Sequence, residues 1–151
     1  MTGERYRPAF VVRWADLDSN AHMANTAYLD VCVDVRFGWF ERCGIGAKEI
    51  GKLKIGPVVK RDEVVYHREL HFLQKFTVDI ALAGISDDAS HFSFRNSFFR
   101  DDDKLAATVT STGGWLDLTT RRLIVPPAAI SEALLALPRT SDFEQLVSSI
   151  R

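Results

Sequence analysis

The sequence predicts an α+β fold, with one long central helix wrapped by a curved, antiparallel five-stranded sheet and further helices at the C-terminal end. Two observations predict it. Between Tyr28 and Cys43 apolar residues cover most of the helical circumference, and a helix apolar on nearly every side must be buried on more than one of them. After that helix, strand-like segments follow one another across short turns, which is the pattern of an antiparallel meander.

Residues 9–14 are β-branched and aromatic enough for a first strand, closed by the Ser19-Asn20 turn signal. Asn25 or Thr26 suits the N-cap of the helix, and Gly44 stands where a helix-terminating glycine belongs. On the helix, Tyr28, Leu29, Val31, Cys32, Val33, Val35, Phe37, Trp39 and Phe40 make the apolar surface. Asp30, Asp34 and Glu41 share one narrow stripe, set for solvent or a partner subunit. A Gly- and Lys-containing connection spans 46–56. Strands are then expected over 58–70, over 76–82 with a clean period of two, over 92–98 with its phenylalanines on one face, and over 105–118. Gly113-Gly114 marks a bulge or a close backbone approach. Pro126-Pro127 ends the strand pattern before a short helix over 128–137. Ser141 and Glu144 have capping-box spacing, and Phe143, Leu146, Val147 and Ile150 follow at helical intervals. Residues 1–138 are therefore read as the domain, and 139–151 as a helical extension packed on it. Edge strands, and the apolar surface that one helix leaves over, predict a homodimer or homotetramer.

With 151 residues, 46% hydrophobic and 26% charged, the chain is long enough to bury a core and ordinary in composition. Its net charge is −1 and its Lys and Arg are scattered, so neither a nucleic acid nor a membrane surface is an expected partner. The N-terminus lacks the apolar run of a signal peptide, and nothing approaches the length of a membrane span. Cys32 and Cys43 fall on one helix, roughly 16 Å apart along its axis at the standard rise. They read as buried thiols in a reducing cytoplasm, the expected location.

The candidate chemistry lies in the polar loop ahead of the helix. Asp16 and Asp18, with one residue between them, point the same way if the chain is extended. They stand upstream of a helix N-terminus, whose free N–H groups favour an anion or a developing oxyanion. A carboxylate beside such a terminus is a layout for attacking a carbonyl or activating water against it. Most loop aspartates only make turn hydrogen bonds, so it is the combination that carries the reading. His22 has the pKa range of an acid or base, although a histidine bonded to a backbone carbonyl is an equally ordinary feature of a loop. His67 and His71 share a face of a strand but stand too far apart to chelate easily, so no metal and no cofactor are expected. No Gly-x-Ser-x-Gly elbow, P-loop or dinucleotide fingerprint occurs.

The chain resembles the 4-hydroxybenzoyl-CoA thioesterase-like branch of the hotdog-fold acyl-CoA thioesterases. The residues that carry the resemblance are Trp14-Ala15-Asp16-Leu17-Asp18, His22-Met23-Ala24-Asn25, Tyr28-Leu29-Asp30 and Asp34-x-Arg36. Gly56-Pro57-Val58-Val59, Tyr66, the strand at 92–100 and Asp117-Leu118-Thr119-Thr120-Arg121-Arg122 add to it, over roughly 7–135. It implies an acyl-CoA thioesterase that yields a free acid and CoA. Asp18 would be the catalytic carboxylate, as nucleophile or general base. The backbone N–H near Asn25 would polarise the carbonyl, and His22 and Asn25 would line a site formed between protomers. Tyr28, Asp16 and Trp14 are the substrate-binding candidates. The family's His-Val-Asn-Asn is here His22-Met23-Ala24-Asn25, Ala21 replaces a glycine, and Leu73-Gln74-Lys75 stands in place of Gly-Asp. Two alternatives accompany this reading. One is hydrolysis of acyl groups on a carrier protein. The other is a non-catalytic hotdog protein that binds an acyl or aromatic ligand, which Ala24 favours and the intact Asp18, His22 and Asn25 disfavour.

Overall fold

The computed structural model describes residues 5–150; residues 1–4, part of the segment read above for a signal peptide, and Arg151 lie outside the described residues. The chain opens with strand β1 (Ala9–Val11) and a 3₁₀ turn (Trp14–Asp16), then the long helix α1 (Asn25–Arg42). A short helix α2 (Ala47–Leu53) lies within the stretch expected to be a plain connection. It is followed by β2 (Ile55–Tyr66), β3 (Lys75–Val78), β4 (Ala81–Ser86), β5 (His91–Arg100) and β6 (Leu105–Asp117). The chain ends with β7 (Leu123–Ile124), helix α3 (Ala128–Leu135) and β8 (Arg139–Leu146).

Among the described residues all strands belong to one 8-stranded sheet. β6 runs between β2 and β5, and β3 and β4 lie end to end along the other edge of β5, all antiparallel. Taken as one interrupted strand, β3 and β4 complete, with β1, β2, β5 and β6, the five-stranded hotdog sheet that was expected. β7 and β8 are additions to it. The interruption sits at Asp79, whose carboxylate accepts the Ser97 N–H at 2.9 Å and so takes over a backbone donor of β5. Gly113 marks a close approach: a Cβ there would meet the Val58 carbonyl oxygen at 1.9 Å. The register shift itself falls on the opposite strand, between Val59 and Arg61.

The terminal segment corrects the sequence reading. Arg139–Leu146 is a strand rather than a helix, paired in parallel with β4. Local spacing favoured a helix, but the outer edge of β4 offers backbone groups that need partners, and β8 supplies them. Phe143 and Leu146 are only half-buried, so a helical apolar face would have gained little burial. Arg95 bonds Asp142 at 2.7 Å, and the Arg139 guanidinium lies 4.2 Å over the Phe143 ring, which together fix the strand.

The core lies between α1 and the concave face of the sheet. Phe40 meets Phe94 and Trp115 edge-on at 6.5 and 5.9 Å, and Tyr28 meets Phe98 at 5.0 Å. Phe92, Phe94, Phe98 and Trp115 are thus core rather than cleft residues. Within this apolar layer Arg36 is 8% exposed, held by Asn96 at 3.1 Å and Ser111 at 2.6 Å. Ser111 in turn donates to Asp62 on β2, so the buried cation reaches a carboxylate through one hydroxyl. Burial pushes the Cys32 thiol up to about 12, which suits an inert core cysteine. α1 is not covered on every side: Val33 is exposed and Leu29, Val31 and Phe37 are half-buried. Among the described residues, no helix is long and apolar enough to cross a membrane.

Candidate active site

The loop between the 3₁₀ turn and α1 is pinned at both ends. The Asp18 N–H donates to the His22 carbonyl at 3.0 Å, and the Ala21 N–H to the Asp18 carbonyl at 3.1 Å. Ala21 takes a left-handed φ of 63°, at the position where a glycine would be at ease. Farther on, Met23 N–H donates to the Leu70 carbonyl at 2.8 Å, and His22 and His71 form an antiparallel bridge. These bonds tie the loop to the segment that follows β2.

Asp16 and Asp18 do not act as a pair. Asp16 is 8% exposed and accepts the Arg13 N–H at 2.9 Å and the Arg13 guanidinium at 2.8 and 3.2 Å. The guanidinium bonds hold its carboxyl below the usual range, despite the opposing effect of burial. Because the chain turns into a 3₁₀ helix here instead of staying extended, the two carboxylates diverge. Asp16 braces the loop and does not line the cleft. Trp14 lies outside it too, 75% exposed and edge-on to Phe72 at 5.5 Å.

Asp18, His22, Met23, Asn25 and Tyr28 line one side of a cleft of ≈ 340 Å³, and residues 66–69 line the other. One Asp18 oxygen, Oδ1, accepts the Asn20 N–H at 2.8 Å, while Oδ2 stands 3.8 Å from His22 Nδ1. His22 Nδ1 lies 3.2 Å from the Met23 carbonyl oxygen. A carbonyl only accepts, so Nδ1 carries a proton and Nε2 is directed toward Glu69 Oε1 at 3.9 Å. The other Glu69 oxygen is 3.7 Å from His71 Nε2.

The start of α1 is uncapped. Its N-cap is Ala24 rather than Asn25 or Thr26, with extended angles and no side-chain bond to the first turn. Ala24 N–H donates to the Asp16 carbonyl and Ala27 N–H to the Ala24 carbonyl, which leaves the Asn25 and Thr26 N–H groups without a partner among the described residues. Such free donors at a helix N-terminus suit a carbonyl oxygen that is gaining charge.

Four of the candidate residues, Asp18, His22, Asn25 and Tyr28, therefore meet in one cleft. Tyr66, His67, Arg68 and Glu69 were not anticipated in it, because 58–70 reads as one continuous strand. The signal was the run of polar residues at that strand's end, where the chain peels away. Among the described residues no group of three or more His, Cys, Asp or Glu could hold a metal ion. A larger cavity of ≈ 920 Å³ lies between Tyr6, Trp39 and residues 136–141. Its carboxylate, Asp79, is already bonded to Arg5 and to the Ser97 N–H, so it offers no free base.

No curated protein sequence matches the chain. Among solved structures, a hypothetical protein from Staphylococcus aureus, characterised in complex with CoA, superposes with a TM-score of 0.81 at 20% identity, over 100% of this chain and 92% of that one. A 1,4-dihydroxy-2-naphthoyl-CoA thioesterase from Synechocystis gives 0.77 at 14% identity, over 87% and 96%. A probable thioesterase from Escherichia coli gives 0.73 at 18%, over 85% and 96%. At such identities these likenesses speak for the hotdog fold. The family model described as the thioesterase-like superfamily matches residues 12–134, most of the chain and all of the cleft, and the protein belongs to that superfamily.

Proposed function

We propose that the protein hydrolyses acyl-CoA thioesters to a free acid and CoA. The observation that carries this reading is the cleft at the start of α1, onto which the Asp18 carboxylate and the uncapped end of the helix both open. A thioester seated there presents its carbonyl oxygen to the Asn25 N–H and its carbonyl carbon to Asp18, or to a water that Asp18 activates. His22, with Nδ1 tied to a backbone carbonyl, orients groups in the cleft, and Tyr28 forms its inner wall. The thiolate is a good enough leaving group for the fold to need no metal. Superfamily membership and the CoA-bound structural neighbour support the substrate class.

The active form is proposed to be a homodimer or homotetramer in the cytoplasm. Among the described residues β2 pairs on one edge only, with β6, and it exposes Val59, Val65 and Tyr66 at 46, 43 and 52%. Tyr66 also lines the cleft, so a second protomer laid along β2 completes its wall.

The test is release of free thiol from a panel of short, long and aromatic acyl-CoAs, run beside the same acyl groups on a carrier protein. Turnover of at least one CoA ester, lost by more than about 100-fold in Asp18→Asn with the fold intact, is the expected result. A normally active Asp18→Asn removes Asp18 from the mechanism. Turnover of carrier-bound substrates alone replaces CoA as the carrier.

A further inference from the structure

We propose that the Tyr28 hydroxyl is a catalytic group, which together with the Asp18 carboxylate holds the attacking water and so makes Asp18 a general base rather than a nucleophile. The inference rests on the thioesterase reading and assigns a second residue to its chemistry.

Tyr28 is 2% exposed, and its ring is wedged edge-on against Tyr66 at 5.4 Å and Phe98 at 5.0 Å. The ring is therefore fixed, yet its hydroxyl has no hydrogen-bond partner among the described residues. The Tyr28 oxygen is not among the fully buried polar atoms that lack a partner, so it is open to water from the cleft that Tyr28 lines. Asp18 and Glu69 line the same cleft as Tyr28. Burial above all, and then Tyr66 and those carboxylates, push the phenol up to about 12. At neutral pH it keeps its proton and acts as a donor.

Tyr28 and Asp18 make no direct hydrogen bond, although they face the same cleft. In this proposal the attacking water sits between the two groups and bonds to both. Asp18 Oδ1 is occupied by the Asn20 N–H, which leaves Oδ2 for that water. The water accepts from Tyr28 with one lone pair and attacks the thioester carbon with the other. Its proton passes to Asp18 Oδ2, and the carbonyl electron pair moves to the oxygen facing the Asn25 N–H. When the carbonyl re-forms, the C–S bond breaks and its electron pair leaves on sulfur, which takes the proton back from Asp18. Water and thioester give acid and thiol, with Asp18 restored.

Tyr28→Phe removes only the oxygen. The expected result is a fall in kcat of about 10–100-fold, with KM within about threefold and the same loss for every acyl group. The thermal midpoint should stay level or rise, because the hydroxyl bonds none of the described residues. A single turnover in H₂¹⁸O with enzyme in excess should put label in the released acid and none in the peptide containing Asp18. Wild-type kcat in Tyr28→Phe, a loss confined to some acyl groups, a loss that follows a lowered midpoint, or label in the Asp18 carboxylate each overturns the proposal. These outcomes leave the thioesterase reading standing, whereas a wild-type protein that releases no thiol from any thioester overturns both.

Discussion

The role proposed for Asn25 belongs to its backbone N–H, and substitution can separate backbone from side chain. As the first residue of α1 it occupies the position where proline is best tolerated, and Ala24 before it already has φ −71° and ψ 151°, the region a following proline requires. Asn25→Pro should therefore keep the helix while deleting the N–H, and lower kcat by about 10²–10³-fold, as the loss of one oxyanion donor does elsewhere. Asn25→Ala keeps the N–H, and its kcat should stay within about tenfold of wild type. Steady-state kinetics with circular dichroism as the fold control checks both; equal losses in the two variants would give the role to the side chain. At this scale the sequence was partly legible. The type and spacing of Asp18, His22 and Asn25 marked residues that meet in one cleft, but the divergence of Asp16 depended on a 3₁₀ turn and a guanidinium that composition does not announce.

At the N-terminus of helix α1 stability and the proposed chemistry meet. The resemblance places an asparagine where Ala24 stands, and the structure makes that position the N-cap. An alanine here forgoes about 1 kcal/mol of capping and leaves the first-turn donors open. Ala24→Ser should raise the unfolding free energy by about 1 kcal/mol in urea titration, because its hydroxyl takes the N–H of Thr26 or Ala27. The Asn25 N–H is not the one a cap takes, so kcat should fall by less than about tenfold. A fall of about 100-fold would show that the donor lies one or two residues further along. Farther along, the helix carries a charge that periodicity gave no reason to bury. Arg36 sits in the core because Asn96 and Ser111, on strands distant in sequence, supply acceptors for its donors.

For the whole molecule, open features among the described residues include the edge of β2 away from β6 and the incompletely covered flank of α1, both proposed to meet a second protomer. A lysine on a strand edge discourages edge pairing. Val65→Lys, at a side chain exposed at 43%, should shift the sedimentation mass from that of a dimer or tetramer toward a monomer and lower kcat/KM in parallel. A fully active monomeric Val65→Lys would show that the cleft is complete within one chain. If the mass does not change, the interface lies elsewhere, with the uncovered flank of α1 the next surface to probe.

The sequence by itself determined the long buried helix, the antiparallel meander, the polar loop before the helix and the family to which these belong. Each of these is written in local terms: a period of 3.6 or 2, a turn residue, a motif within a few positions. Tertiary structure decided the rest. It turned the C-terminal segment into a strand because the edge of β4 needed partners, and split 76–82 at Asp79 because Ser97 offered a donor. It brought residues 66–69 across from Asp18, and it left the Tyr28 hydroxyl without a partner among the described residues. All four depend on groups distant in the chain. Periodicity reports which side of an element is apolar, and only the packed molecule shows what that side meets.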